Sequence, residues 1–272
     1  MYSILVFDSG IGGLSVAQEV CQRIPDANIH YLADHAAYPY GDKEDAWLIK
    51  RVDQLITKMV KQVQPDLLIL ACNTASTLAL PTLRAHLDTP VVGVVPAIKT
   101  AANTTLNHHI GLLATPGTVS RVYIDDLIHE FAAHCKVERL GTTSLVHLAE
   151  DKLAGKVINR ELLHQDTQAL IETGVDTVVL GCTHFPLLLD ELQQLYPNVK
   201  FVDSGEAIAR RALSILQDVH EATPNCSPKH KPQLPSRAFY STQTIATTLE
   251  KQLVLYGYTD FTYCHFPISA TP

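Results

Sequence analysis

The stretch Leu67-Leu68-Ile69-Leu70-Ala71-Cys72-Asn73-Thr74 decides how this chain folds, together with its echo Thr177-Val178-Val179-Leu180-Gly181-Cys182-Thr183-His184. Each begins with a short apolar run that does not alternate, the pattern of a parallel strand buried on both faces. Each run then stops at a small residue, a cysteine and polar residues, and a leucine-rich segment predicted to be helical follows. The two cysteines stand 110 residues apart. A second pair recurs at an offset of about 107 residues: a strand at Leu5 running into Asp8-Ser9-Gly10-Ile11-Gly12-Gly13, and one at Leu112 running into Thr115-Pro116-Gly117-Thr118.

Working outward, strands are predicted at Ser3–Phe7, Asn28–Leu32, Leu67–Ala71 and Val91–Val95, with helices at Leu14–Arg23, Asp45–Val63 and Thr77–Leu87 between them. The second half repeats the order. Its strands are Ile110–Ala114, Lys136–Leu140, Thr177–Leu180 and Lys200–Val202, and its helices are Val119–His134 and Arg160–Glu172. The β-α-β-α order gives an α/β fold, here two pseudo-symmetric domains built on parallel sheets. Ligands of such sheets sit beyond the carboxyl ends of the strands. If the two sheets face each other, Cys72 and Cys182 approach a central cleft from opposite sides. Ala222–Pro235, with four prolines, reads as a linker. After it come a short strand, Ala238–Ser241, and a helix, Ile245–Leu255.

The bulk properties narrow the function. A formal net charge of −7 makes nucleic acid an unlikely partner. No basic flank precedes the short apolar start, and no apolar run reaches the roughly 18 residues of a membrane span. A cytoplasmic protein with reduced cysteines is expected. Cys21, Cys135, Cys226 and Cys264 are expected to be packing or inert surface residues, and none of the six cysteines forms a CxxC pair.

A cysteine at a strand end, facing the N–H groups that open a helix, meets the conditions that activate a thiol. That describes both Cys72 and Cys182. His184, two residues after Cys182, is placed to exchange a proton with it. Asp8-Ser9-Gly10-Ile11-Gly12-Gly13 lacks the GxGxxG spacing, and Asp8 would repel a phosphate. A small ligand whose carboxylate the backbone N–H groups bind suits the glycines better, leaving Asp8 to hold an ammonium group or orient a base. Tyr38-Pro39-Tyr40-Gly41 reads as a loop over the cleft, and His108-His109 as a solvated turn. Glu150 closes the matching segment of the second half, although composition alone does not select it. No metal-ligand spacing emerges.

These motifs, with Gly181-Cys182-Thr183-His184-Phe185-Pro186 and Ala71-Cys72-Asn73-Thr74-Ala75-Ser76, resemble in order and spacing the glutamate racemases of bacterial cell-wall synthesis, within the aspartate/glutamate racemase superfamily. The similarity runs from about Ser3 to about Ser214. The resemblance implies an isomerase that needs no cofactor and no metal, acts on glutamate, and serves peptidoglycan synthesis and cell shape as a homodimer. It implies catalytic roles for Cys72 and Cys182, with Asp8, Glu150 and His184 assisting. Substrate contacts are implied at Asp8, Ser9, Pro39, Tyr40, Gly41 and Cys72, at Asn73, Thr74, Thr115 and Thr118, and at Cys182, Thr183 and His184. It also implies that the tail completes the first domain, giving residues 1–97 with 208–272, and 98–207 as the second. Relatives with an N-terminal extension use it to bind a cell-wall precursor as activator. This chain has almost nothing before its first strand, so that regulation is not expected.

Two other readings use the same residues. A Cys-His hydrolase would employ Cys182 and His184 and leave Cys72 unexplained. A small-ligand binding protein would suit two α/β domains but lacks the signal peptide of its periplasmic form.

Overall fold

The computed structural model describes residues 2–222, 236–245 and 247–266, with no account of the side chains of 220–222. It divides into two compact units, Met1–Val94 with Gly205–Pro272, and Val95–Ser204. Both divisions lie three residues before the sequence-based ones.

The first unit runs β1 (Ser3–Asp8), α1 (Leu14–Arg23), β2 (Asn28–Ala33), α2 (Asp45–Val63), β3 (Leu67–Leu70), α3 (Asn73–His86) and β4 (Val91–Gly93). The second follows with α4 (Ile98–Thr104), β5 (His109–Ala114), α5 (Pro116–Val119), α6 (Val122–Phe131), β6 (Lys136–Gly141), α7 (Ser144–Leu153), α8 (Arg160–Ile171), β7 (Thr177–Leu180), α9 (Leu189–Leu195) and β8 (Lys200–Val202). The chain then returns to the first unit through α10 (Gly205–Ala222), β9 (Ala238–Tyr240), α11 (Thr247–Leu255) and β10 (Phe261–Tyr263). Most of the proposed linker, residues 223–235 with Cys226, lies outside the described residues.

The first sheet has the order β10-β9-β2-β1-β3-β4 and the second β6-β5-β7-β8, every pair parallel. The four strands β2-β1-β3-β4 and β6-β5-β7-β8 are thus wound alike. In both, the chain reverses its direction of winding beside the first strand, between β1 and β3 or between β5 and β7, the switch point where open α/β sheets bind ligands. The registers also agree: β1 and β3 end their ladder at Phe7 and Leu70, β5 and β7 at Leu113 and Leu180.

Leu67–Leu70 and Thr177–Leu180 are buried at every position, as strands covered on both faces must be. The first core packs Leu48, Val52, Leu55, Ile56 and Met59 of α2 and Ala75, Ala79 and Leu83 of α3 against Leu5, Phe7, Leu68 and Leu70. The second gathers Ile98, Ala101, Ile124 and Leu127 around Ile110, Leu112 and Val179. The helix predicted over Val119–His134 runs only from Val122 to Phe131, and a separate short helix, Pro116–Val119, precedes it. Ser120 sits at the break, its hydroxyl donating to the carbonyl of Pro116 at 3.1 Å, a local bond that competes with the helical ladder. His109 is the first residue of β5 rather than part of a solvated turn. Among the described residues, no helix is long and apolar enough to cross a membrane.

Candidate functional site

The predicted residues gather at the carboxyl ends of the two sheets, in one cluster on each unit. In the first, the backbone N–H groups of Ala71 and Cys72 approach the carbonyl of Phe7 at 2.8 and 3.4 Å, which holds Cys72 beside the end of β1. Cys72 is the N-cap of α3 and so stands at the positive end of a 14-residue helix, without a side-chain hydrogen bond to its first turn. The Cys72 thiol lies 3.7 Å from the Ser9 hydroxyl, and both residues are buried.

Asp8 is fully buried at the end of β1, and its Oδ1 accepts the Gly10 N–H at 2.8 Å. Gly13 is required by the close packing here: a Cβ on it would stand 2.6 Å from the Asp8 Cβ and 2.9 Å from the Ala71 Cβ. The Tyr31 hydroxyl donates to the carbonyl of Gly10 at 2.9 Å and pins the loop from below. Asn73 and Thr74 open α3 and are buried, and Asn73 Oδ1 finds no hydrogen-bond partner among the described residues.

The Pro39-Tyr40-Gly41 segment is not a loose flap. Tyr40 begins a short 3-10 turn, Tyr40–Asp42, and is 2% exposed. Its hydroxyl donates to Asp34 Oδ2 at 2.5 Å, and the same carboxylate takes two bonds from the Arg51 guanidinium, at 2.5 and 2.6 Å. Burial, then the negative charge of Asp34 and its hydrogen bond, push the Tyr40 phenol well above its usual range, and the charge of Cys72 adds to the effect. Burial alone would lower the Arg51 guanidinium, but Asp34 outweighs it and holds it above its usual value. Arg51 is further flanked by the rings of Trp47 and Phe266. Sequence reading gave no role to Asp34 or Arg51. The signal was present, because Arg51 falls on the apolar stripe of α2 between Leu48 and Leu55, where the helical period calls for a hydrophobic residue.

The second unit solves its site differently. Cys182 follows β7 by two residues, as Cys72 follows β3, but no long helix begins there. A four-residue 3-10 turn, Phe185–Leu188, comes next, and α9 starts only at Leu189. The helix expected to follow Cys182 directly is thus displaced, and the dipole that serves Cys72 is much weaker here. Its place is taken by His184, 2% exposed, whose Nδ1 lies 4.0 Å from the Cys182 sulfur, the long limit of a sulfur contact. The His184 Nε2 lies 2.9 Å from Glu150 Oε1 on α7. An ionised Glu150 accepts from Nε2–H, which leaves Nδ1 as the lone pair facing the thiol. Thr183 is buried beside Cys182. Thr115 and Thr118, both buried at the end of β5, bond each other through their hydroxyls at 3.0 Å.

Each unit therefore carries one cysteine in its own polar setting: a hydroxyl and a helix N-terminus in one, an imidazole backed by a carboxylate in the other.

Comparison with known proteins agrees. Residues 15–212 match the family model described as Asp/Glu/Hydantoin racemase. The glutamate racemase of Shewanella loihica is 48% identical over 257 residues, 94% of this chain and 93% of that protein. That of Vibrio cholerae is 54% identical over 214 residues, 78% of this chain and 80% of that protein. Among solved structures, Escherichia coli glutamate racemase in complex with L-glutamate and activator UDP-MurNAc-Ala has a TM-score of 0.88 and 43% identity, covering 96% of this chain and 97% of the other. The match extends over most of the chain and through both clusters, and the chain belongs to the Asp/Glu/hydantoin racemase family.

Proposed function

We propose that this chain interconverts L- and D-glutamate, with no cofactor, by a two-thiol proton transfer at Cα that supplies D-glutamate for peptidoglycan synthesis. The observation that carries the reading is the position of a cysteine two residues beyond the last rung of the central ladder in each of two like-wound sheets. The similarity to glutamate racemases over most of the chain supports glutamate as substrate.

The α-proton of an amino acid is weakly acidic, so racemisation requires a base on one face of Cα, an acid on the other, and fixed donors that stabilise the carbanionic transition state. Cys72 removes the proton from D-glutamate and Cys182 from L-glutamate, the other thiol returning a proton in each direction. Both thiols must reach one α-carbon for this to work. Ser9, Asp8 and the N-terminus of α3 serve Cys72. His184, oriented by Glu150, serves Cys182.

The substrate's polar groups have partners within each cluster. The backbone N–H groups at the start of α3 suit a carboxylate. Asn73 Oδ1, an unpartnered acceptor, suits the ammonium group. Thr74, Thr115, Thr118 and Thr183 supply further hydroxyls, and the Pro39-Tyr40-Gly41 turn supplies backbone positions held by Asp34. The protein acts in the cytoplasm, as a homodimer.

The test is the circular dichroism of L-glutamate incubated with the purified chain. Decay of the signal to zero, from L- and from D-glutamate alike, supports the reading. Signals that stay constant, with UDP-MurNAc-Ala present as well as absent, refute it; decay only when the nucleotide is added keeps the racemase and makes it activator-dependent.

A further inference from the structure

At the opposite end of the second sheet from Cys182, where β5 and β6 begin, three side chains of metal-ligating type converge. They are His108, His134 and Cys135, whose ligand atoms all lie within 4.8 Å of one another. We infer that His108, His134 and Cys135 form a binding site for a borderline-soft divalent cation, of which zinc is the type, at the edge of the second unit.

The chemistry of the donors carries the choice of ion. Two imidazoles and a thiolate suit zinc, whereas calcium and magnesium take oxygen ligands. In a tetrahedral site the three would leave one position for water. Asp176 accepts from the Thr105 and Thr177 hydroxyls at 2.6 and 2.9 Å and from the backbone N–H groups of Leu106 and Asn107 at 2.7 and 2.8 Å, so both of its oxygens are engaged. The neighbouring Lys136 ammonium pairs with Glu138 at 2.8 Å.

The backbone that presents the three ligands is tied down. The Lys136 N–H donates to the carbonyl of His108 at 2.8 Å, and the Cys135 N–H to that of Ala132 at 2.9 Å. His108 holds a left-handed φ of 57°, and its ring meets that of His134 edge-on at 5.6 Å. His108 and His134 are exposed and Cys135 is half-buried, so an ion has access. The ligands come from two segments 26 residues apart, which is why no metal spacing is visible in the sequence. The consequence is a clip across the entrance of the β5–β6 pair, which stabilises the unit when the ion is bound.

Cobalt(II) titration of the full chain tests this, because a sulfur-to-cobalt charge-transfer band with tetrahedral visible bands reports thiolate ligation directly. The active-site thiols must be separated from the site, so the Cys72→Ser, Cys182→Ser double variant is the reference protein. One cobalt per chain with the charge-transfer band is expected there. Adding Cys135→Ser should abolish the band. Adding His108→Asn, which tolerates the left-handed backbone, should weaken binding by more than the roughly 10- to 100-fold that loss of an outer-shell partner costs. Zinc should displace cobalt and raise the melting temperature of the reference but not of the Cys135→Ser form. An unchanged band after Cys135→Ser, or no band in the reference protein, overturns the proposal. Neither result bears on the racemase reading.

Discussion

His184 bridges Glu150 and Cys182: its Nε2 is 2.9 Å from the Glu150 carboxylate and its Nδ1 is 4.0 Å from the Cys182 sulfur. The imidazole is nearly inaccessible to solvent, so its orientation is set by Glu150 rather than by water. In the first unit Cys72 instead stands at a helix N-terminus beside the Ser9 hydroxyl. Two halves with the same winding therefore set different groups beside their cysteines.

Glu150→Gln keeps the shape but can hold His184 in the wrong tautomer. We expect kcat/KM to fall by between about 10-fold and 10⁴-fold, the span seen when a group that orients a catalytic base is lost. For a racemisation with an equilibrium constant of one, the loss in kcat/KM must be equal in both directions. Steady-state kinetics from L- and D-glutamate check this, and a pH profile identical to that of the parent would show Glu150 to be merely structural.

Gly13→Ala places a methyl group 2.6 Å from the Asp8 Cβ. Overpacking of this kind costs about 1–3 kcal/mol, and a displacement of about 1 Å at a reacting centre costs about 10²-fold in rate. Denaturant unfolding and kcat/KM together should show both losses.

Asp34 and Arg51 are buried together, with Tyr40 donating to the same carboxylate. Arg51→Met leaves Asp34 without its cation, and breaking a buried pair costs about 3–5 kcal/mol. Urea unfolding should show that loss. Because Tyr40 is held protonated in the folded state, the network's contribution should also fade as pH rises above the ordinary phenol range near 10, when unfolded chains lose the proton first.

Burial, with the charge of Arg237 adding to it, lowers the His30 imidazole from 6.5 to about 4. A depressed base favours the neutral form in the folded state. Stability is therefore complete above pH 6.5 and declines as pH falls toward 4, by at most about 3 kcal/mol. His30→Gln should flatten that dependence in urea unfolding measured across this window.

Much of this architecture was legible in the sequence. The bounds of α2, Asp45–Val63, follow from an apolar period, interrupted at Arg51, behind Glu44, whose carboxylate caps the first turn at 2.9 and 2.7 Å. The repeat of a strand ending in cysteine located both clusters. Where polar residues begin a helix the reading fell short: α3 starts at Asn73 rather than Thr77, since Asn73-Thr74 resemble a loop until the helix end they occupy is known. Helix α7 was seen only as the segment leading to Glu150, and the partnership of Glu150 with His184 spans 34 residues that no local pattern connects. The Asp34–Arg51 pair was missed because its charges are satisfied only in three dimensions.

In the proposed reaction two thiols act on opposite faces of one α-carbon. Its most direct test is deuterium incorporation at Cα in deuterated water, followed by proton NMR from each enantiomer, for the parent chain, Cys72→Ser and Cys182→Ser. The account predicts that the parent racemises both enantiomers with solvent deuterium entering at Cα, and that each variant loses about 10²–10⁴-fold in racemisation while still binding glutamate. Racemisation at near-parent rate in either variant, or inversion without solvent deuterium entering the product, would contradict it.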